Sequence, residues 1–169
     1  MKRIIKLLFF LNKVVWKFNH RLYMRNNNKL MRKLGIQIDG EPIYISATVS
    51  FDGTDYGLIA IGDKTVISSG VRVLTHDFSV SRMLYAVGRL KADEKEISIS
   101  SPVKIGSNVF IGARSILMPG TVIGDNVVIG AGSVIRGKLE KNGIYIGNPA
   151  VKIRTIEEQL AKYDKKGLI

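Results

Sequence analysis

From residue 43 onward an aliphatic residue returns at every sixth position. Ile43 and Val49 are followed by Asp55, which breaks the series, then by Ile61, Ile67 and Val73. After a gap the count resumes at Ile105 and runs through Ile111, Leu117, Ile123, Ile129 and Ile135. The blocks read IGSNVF, IGARSI, LMPGTV, IGDNVV and IGAGSV. A fixed short period of aliphatics and small residues outranks local propensity in deciding a fold. It predicts a parallel β-helix. A sandwich of short strands would give alternation with turn signals about every 8–12 residues, not a constant six.

Each block is then a very short strand plus a corner. The β-branched leader points inward, and the small second residue lets the chain turn sharply. Three blocks close one triangular coil, and successive coils stack about 4.8 Å apart. The expected stacks are Ile105 on Ile123, Ile111 on Ile129 and Leu117 on Ile135. Backbone groups pair between coils, so only the two ends need covers. The segment TIEEQLAKYDKK, 155–166, reads as a short helix near one end, with Thr155 as cap and Glu157 and Glu158 in its first turn. The period alone does not give the hand of the coil, since parallel crossovers are overwhelmingly right-handed.

The start of the chain has a different character. From Met1 to Ile38 there are ten basic residues and no acidic one, against 16 basic and 14 acidic in the rest. A basic arm, 1–38, therefore precedes a near-neutral body, 39–154, and a C-terminal helix, 155–169. In the arm Lys2, Lys6, Lys13, Lys17 and His20 share one helical stripe, with Ile4, Leu8, Leu11, Val15 and Leu22 opposite and Gly35 as a stop. Lys6, Asn12 and Lys13 interrupt the apolar run, which suits neither a signal peptide nor a spanning helix. Two readings stay open: a helix lying on an anionic membrane surface, or one packing on its own domain or a sister subunit. Nucleic acid is not expected, because no reader motif accompanies the charge. The chain has no cysteine, which fits a reducing compartment and a cytoplasmic location, with the inner membrane face as the site of any peripheral contact. Two histidines, His20 and His76, are too few for a histidine-built metal site.

Between Val73 and Ile105 the count of six fails. The chain leaves the coil near Phe78 and returns near Pro102, giving an excursion at about 79–102. Insertions in solenoids project outward and often carry binding. His76 stands at the exit, in VLTHDFS and next to Asp77, and imidazole suits taking a proton from a hydroxyl near neutral pH. The glycines of IGAGSV are corners, because Ile135 stands where a third dinucleotide-binding glycine would be.

Ile-Gly-x-x-x-x repeats, a loop-flanking histidine in LTHDFS and the closing YIGNPAVKIR resemble the hexapeptide-repeat acyltransferases. Within them the chain is most similar to O-acetyltransferases of sugars and exopolysaccharides. The resemblance covers about residues 40–154. It implies a left-handed parallel β-helix, a homotrimer with sites between subunits, and acetyl-CoA as donor with no catalytic metal. It makes His76 the general base, and puts Asp52, Asp55 and Asp77 at the acceptor, a sugar or lipid-linked saccharide. Phe110, Gly112, Ala113, Ala131, Arg136, Lys152 and Arg154 fall on donor-binding positions, and a backbone N–H near Gly112 or Ala113 on the oxyanion site. Phe110 replaces a frequent Trp, and Val151 a frequently basic residue. The alternatives weighed are a small-molecule acetyltransferase, a three-histidine carbonic anhydrase and a non-catalytic β-helix scaffold. The anhydrase lacks its histidines, and a scaffold has no use for His76.

Overall fold

A computed structural model describes all residues except Met1, Gly53, Thr54 and Ala92, and all side chains but these and those of Lys2, Arg3 and Lys6. Two helices come first, α1 (Lys2–Trp16) and α2 (His20–Leu34). Coil one follows with β1 (Gln37–Ile38), β2 (Tyr44–Ile45) and β3 (Ser50–Phe51). Coil two has β4 (Ile59–Ile61), β5 (Val66–Ile67) and β6 (Arg72–Val73). An excursion carries β7 (His76–Asp77), α3 (Ser79–Ala86) and β8 (Ile99–Ser100). Coil three is β9 (Val103–Ile105), β10 (Phe110–Ile111) and β11 (Ile116–Leu117); coil four is β12 (Val122–Ile123), β13 (Val127–Ile129) and β14 (Val134–Ile135). The chain closes with β15 (Lys138–Leu139), β16 (Gly143–Gly147), β17 (Ala150–Thr155) and α4 (Ile156–Asp164).

Each coil contributes one strand to each of three faces. Face A stacks β1-β4-β9-β12-β15, face B β2-β5-β10-β13-β16 and face C β3-β6-β11-β14, all pairs parallel, while β17 folds back antiparallel on β16. The expected stacks are present: Ile105 pairs with Ile123, Ile111 with Ile129 and Leu117 with Ile135. Their side chains, with Ile61, Ile67 and Val73, form the buried axis.

The first coil departs from the six-residue count. Ile45 pairs with Ile67 and Phe51 with Val73, so Ile45 and Phe51 are the leaders there. Ile43 is 56% exposed, and Val49 packs at the margin of the core. Extra residues between β3 and β4 lengthen this coil, and counting back in sixes from Ile61 therefore lands two positions off. Asp55 is likewise no failed leader: it caps the 3₁₀ turn Tyr56–Leu58, its carboxylate accepting the Gly57 N–H at 2.9 Å.

The small second residue has a different cause from the one read in the sequence. A Cβ at Gly62, Gly106, Gly112 or Gly124 would lie 2.4–2.8 Å from atoms of the next coil, mostly backbone, so these glycines are set by how closely the coils stack. The turning itself falls two residues later. Lys64, Asn108, Asn126 and Asn142 at the A-to-B corner, and Gly70, Arg114 and Gly132 at the B-to-C corner, are left-handed, a conformation that favours Gly and Asn. The asparagines form a side-chain ladder, Asn108 donating to Asn126 and Asn126 to Asn142, each at 2.9 Å. The inward hydroxyls of Thr65 and Thr121 donate to carbonyls across the coils, Thr65 to Gly106 at 3.0 Å and Thr121 to Ile135 at 3.1 Å.

Both ends are covered. Tyr145 closes the far end, its hydroxyl donating to the Glu140 carbonyl at 3.0 Å. At the near end Tyr23, Met24 and Met31 of α2 pack on Ile36 and Ile45. The single arm stripe is broken at Lys17–Asn19, where the Asn19 side chain caps α2 by accepting the Leu22 N–H, so the arm is a helical hairpin. Its packed face carries Ile5, Phe9, Asn12 and Val15, not Ile4, Leu8 and Leu11. Thr155 caps α4 with a reciprocal Glu158 contact, as its sequence suggests.

Ile111→Ala removes a fully buried leader and is expected to cost about 2–5 kcal/mol in urea unfolding, whereas Ile43→Ala stays within about 0.5 kcal/mol. Equal losses would restore Ile43 to the core.

Candidate active site

The corner between faces C and A differs from the other two. Immediately after each face C leader stands Asp52, Leu74, Met118 or Arg136 rather than glycine. The Asp52, Leu74 and Met118 N–H groups donate to Val73, Leu117 and Ile135 carbonyls at 2.9, 2.9 and 3.0 Å, so these residues form one column down a single edge. Side chains at this edge point away from the axis, where there is room for them.

His76 occupies the third place after leader Val73, the place that turns the chain left-handed at other corners, such as Gly120 after Leu117. Here the chain does not turn. It runs straight on as β7, paired antiparallel with β8 (His76 opposite Ser100), and the coil opens at that point. The His76 Nδ1 contacts the Asp52 carboxylate of the coil below, with side chains 22% and 13% exposed. Asp52 is itself held by the Thr75 N–H at 3.1 Å, and the Phe78 ring meets the imidazole edge-on at 5.0 Å. A carboxylate beside Nδ1 favours the tautomer with its proton there, although the two atoms are not aligned as a hydrogen bond. Sequence reasoning placed Asp52 on the acceptor. Its contact with His76 was hidden because the two lie in different coils, separated by the irregular first turn.

The excursion is folded rather than slack. The buried Ser81 hydroxyl of α3 donates to the Ile97 carbonyl and accepts the Ile97 N–H, both at 2.8 Å, and Arg82 pairs with Glu96. Asp77 accepts the Ser79 N–H at 2.8 Å. Hydrogen bonds from Ser79, backbone first and then side chain, together with the Arg136 charge, hold its carboxyl below the ordinary range. Arg136 thus belongs to the His76 edge, beside an acidic group of its own chain.

The remaining donor candidates lie elsewhere. Phe110 is 44% exposed on face B, in register with Val66 and Val128. Gly112, Ala113 and Ala131 form the B-to-C corner, across the width of face C from His76. The Gly112 N–H donates to the Ile129 carbonyl at 2.8 Å, so it is not free to hold an oxyanion; of the expected pair only Ala113 remains. Lys152 and Arg154 sit on β17, Lys152 exposed and Arg154 donating to the Gln159 side chain at 2.9 Å. Among the described residues no group of three or more His, Cys, Asp or Glu is placed to hold a metal ion.

Comparison with known proteins settles the lineage. Residues 102–137 match the family described as Bacterial transferase hexapeptide (six repeats). Protein CapG of Staphylococcus aureus is 41% identical over 138 residues, 81% of this chain and 76% of CapG. The chain belongs to the hexapeptide-repeat acyltransferase family. Within that family, a protein of Escherichia coli K12 described as a lipopolysaccharide biosynthesis O-acetyl transferase, WbbJ, is 31% identical over 109 residues, 63% of this chain and 55% of WbbJ. The crystal structure of a maltose O-acetyltransferase from Clostridium difficile 630 superposes with a TM-score of 0.60 at 27% identity, covering 90% of this chain and 84% of that one. The chain spans only about half of WbbJ, yet most of this hexapeptide-repeat acyltransferase is shared with CapG and with the solved structure.

Because folding favours the ionised form of Asp77, its contribution is present above the unfolded carboxylate pKa and is lost as pH falls through the lower folded value. Asp77→Ala therefore lowers the Tm at neutral pH, and the gap to the parent closes as the solution is acidified. A gap independent of pH would count against the ionised carboxylate.

Proposed function

We propose that this chain transfers an acetyl group from acetyl-CoA to a sugar hydroxyl of a surface-polysaccharide precursor, with His76 as general base. The observation that carries the reading is the Asp52–His76 contact at the corner where the coil opens. Asp52 orients the imidazole, and Nε2 takes the proton from the acceptor hydroxyl as its oxygen attacks. Acetyl-CoA supplies the thioester carbonyl: the ester C–O bond forms as the C–S bond breaks, and sulfur leaves as thiolate. An N–H at Ala113 of a neighbouring copy would face the developing oxyanion.

The sugar class is supported by the descriptions of WbbJ and the maltose enzyme. The separation of His76 from Phe110, Ala113 and Ala131 on different edges of the prism supports a homotrimer, in which one copy brings the base and the next the donor cradle. Left-handed winding belongs to the same reading. So do a lipid-linked acceptor and a cytoplasmic protein with peripheral contact at the inner membrane face. Asp55 and Asp77, both exposed, remain the groups proposed to meet acceptor hydroxyls.

His76→Ala is expected to lower kcat by about 10²–10⁴-fold with the melting temperature and oligomer mass unchanged. Asp52→Asn should lower kcat with little change in the acceptor KM, which separates an orienting group from one that binds sugar. Acetyl-CoA should raise the Tm of the parent protein. Full activity in His76→Ala would mean a different base.

A further inference from the structure

The arm has two faces, and the fold uses only one of them. Ile5, Asn12 and Phe9 of α1 turn inward, and Asn12 donates to the Tyr23 carbonyl at 3.0 Å. On the opposite side Ile4, Leu7, Phe10, Leu11 and Val14 are each more than half exposed. At 100° per residue they span a sector about 120° wide. Phe18, just past the end of α1, is exposed by 84%. On α2, Tyr23, Met24 and Met31 pack on the coil, while Arg21, Arg25, Lys29 and Lys33 stand outward. The apolar and basic faces meet along a groove of about 480 Å³, where Leu8, Leu11, Val15 and Leu30 lie beside Lys29 and Lys33.

We infer that this hairpin surface docks on an anionic lipid bilayer, with α1 lying in the plane of the interface. The charge decides between lipid and a second copy of the chain. Residues 1–38 hold ten basic groups and no acid, so two such arms repel, and the body, with 16 basic and 14 acidic residues, has no acidic surplus to receive one. Anionic headgroups supply the missing charge, acyl chains accept the apolar sector, and Phe18 fits the headgroup boundary. No helix among the described residues is long and apolar enough to cross a membrane.

Docking in this way sets the height of the site. The hairpin packs under coil one, Asp52 lies in that coil and His76 in the next. A helix layer of about 10 Å and one or two coil heights of about 4.8 Å put the imidazole roughly 15–20 Å from the lipid face. That suits a saccharide tethered to the bilayer by a phosphate-containing linker. This last step rests on the acetyl-transfer reading; the docking itself does not.

The test is co-sedimentation of the full chain with vesicles containing phosphatidylglycerol, against pure phosphatidylcholine vesicles, with turnover on a soluble sugar measured in parallel. The parent should pellet with the anionic vesicles and release as salt is raised. Lys29→Ala/Lys33→Ala should weaken that binding about 30-fold. Leu7→Glu/Leu11→Glu should reduce it to the phosphatidylcholine level, with Tm, oligomer mass and soluble turnover retained. Equal binding to both vesicle types, or undiminished binding by either variant, overturns the proposal. So does a fall in oligomer mass with vesicle binding intact, because the face would then be a subunit contact. Loss of soluble turnover in His76→Ala with vesicle binding preserved leaves the docking standing while testing the chemistry apart from it.

Discussion

The close stacking of coil upon coil governs this molecule. A spacing of about 4.8 Å lets every strand exchange backbone hydrogen bonds with the coils above and below. It also dictates which side chains are tolerated. Where the strand ends of neighbouring coils meet at the A-to-B and B-to-C corners, even a Cβ would collide with the next coil, and glycine is required at Gly62, Gly106, Gly112 and Gly124. On the axis the same spacing brings leaders into a continuous apolar column, with Ile61, Ile67, Ile111, Leu117 and Ile129 almost completely buried. Such regularity fills the axis with aliphatic side chains, and the Asp52–His76 contact appears where the repeat is broken.

It is broken at one edge. The C-to-A corner carries Asp52, Leu74, Met118 and Arg136 where the other corners of coils two to four carry glycine or serine, and there His76 leads the chain out of the coil. A carboxylate from one coil reaches an imidazole from the next because stacking puts residues 24 positions apart in contact. The excursion then folds back through Ser81 and Ile97 so that its return strand pairs with the exit strand. A rigid scaffold holds the imidazole on one side, and an inserted segment walls the other.

How much was legible follows the same division. Coils three and four were readable residue by residue, because an aliphatic leader every six positions has one packing solution and their pairings Ile105–Ile123 and Leu117–Ile135 follow from the count. The first coil was not, because a turn of irregular length between Phe51 and Ile59 shifts the register, and periodicity carries no information across it. Asp55 was misplaced for that reason, and Asp52 was given a sugar to bind rather than an imidazole. The arm was legible as amphipathic, but its single stripe concealed a capped break at Asn19, a local hydrogen bond that competes with helix continuation.

Sequence by itself determined the solenoid, the exit at His76, the capped terminal helix and the basic character of the arm. Those follow from periodicity, composition and local capping, which act over a few residues. Tertiary structure decided that Asp52 meets His76, that Arg136 joins their edge while Ala113 and Ala131 lie at another, and which face of α1 is left to solvent. Each of these depends on how many residues a coil takes to come round, a quantity fixed by packing between turns of chain far apart in sequence.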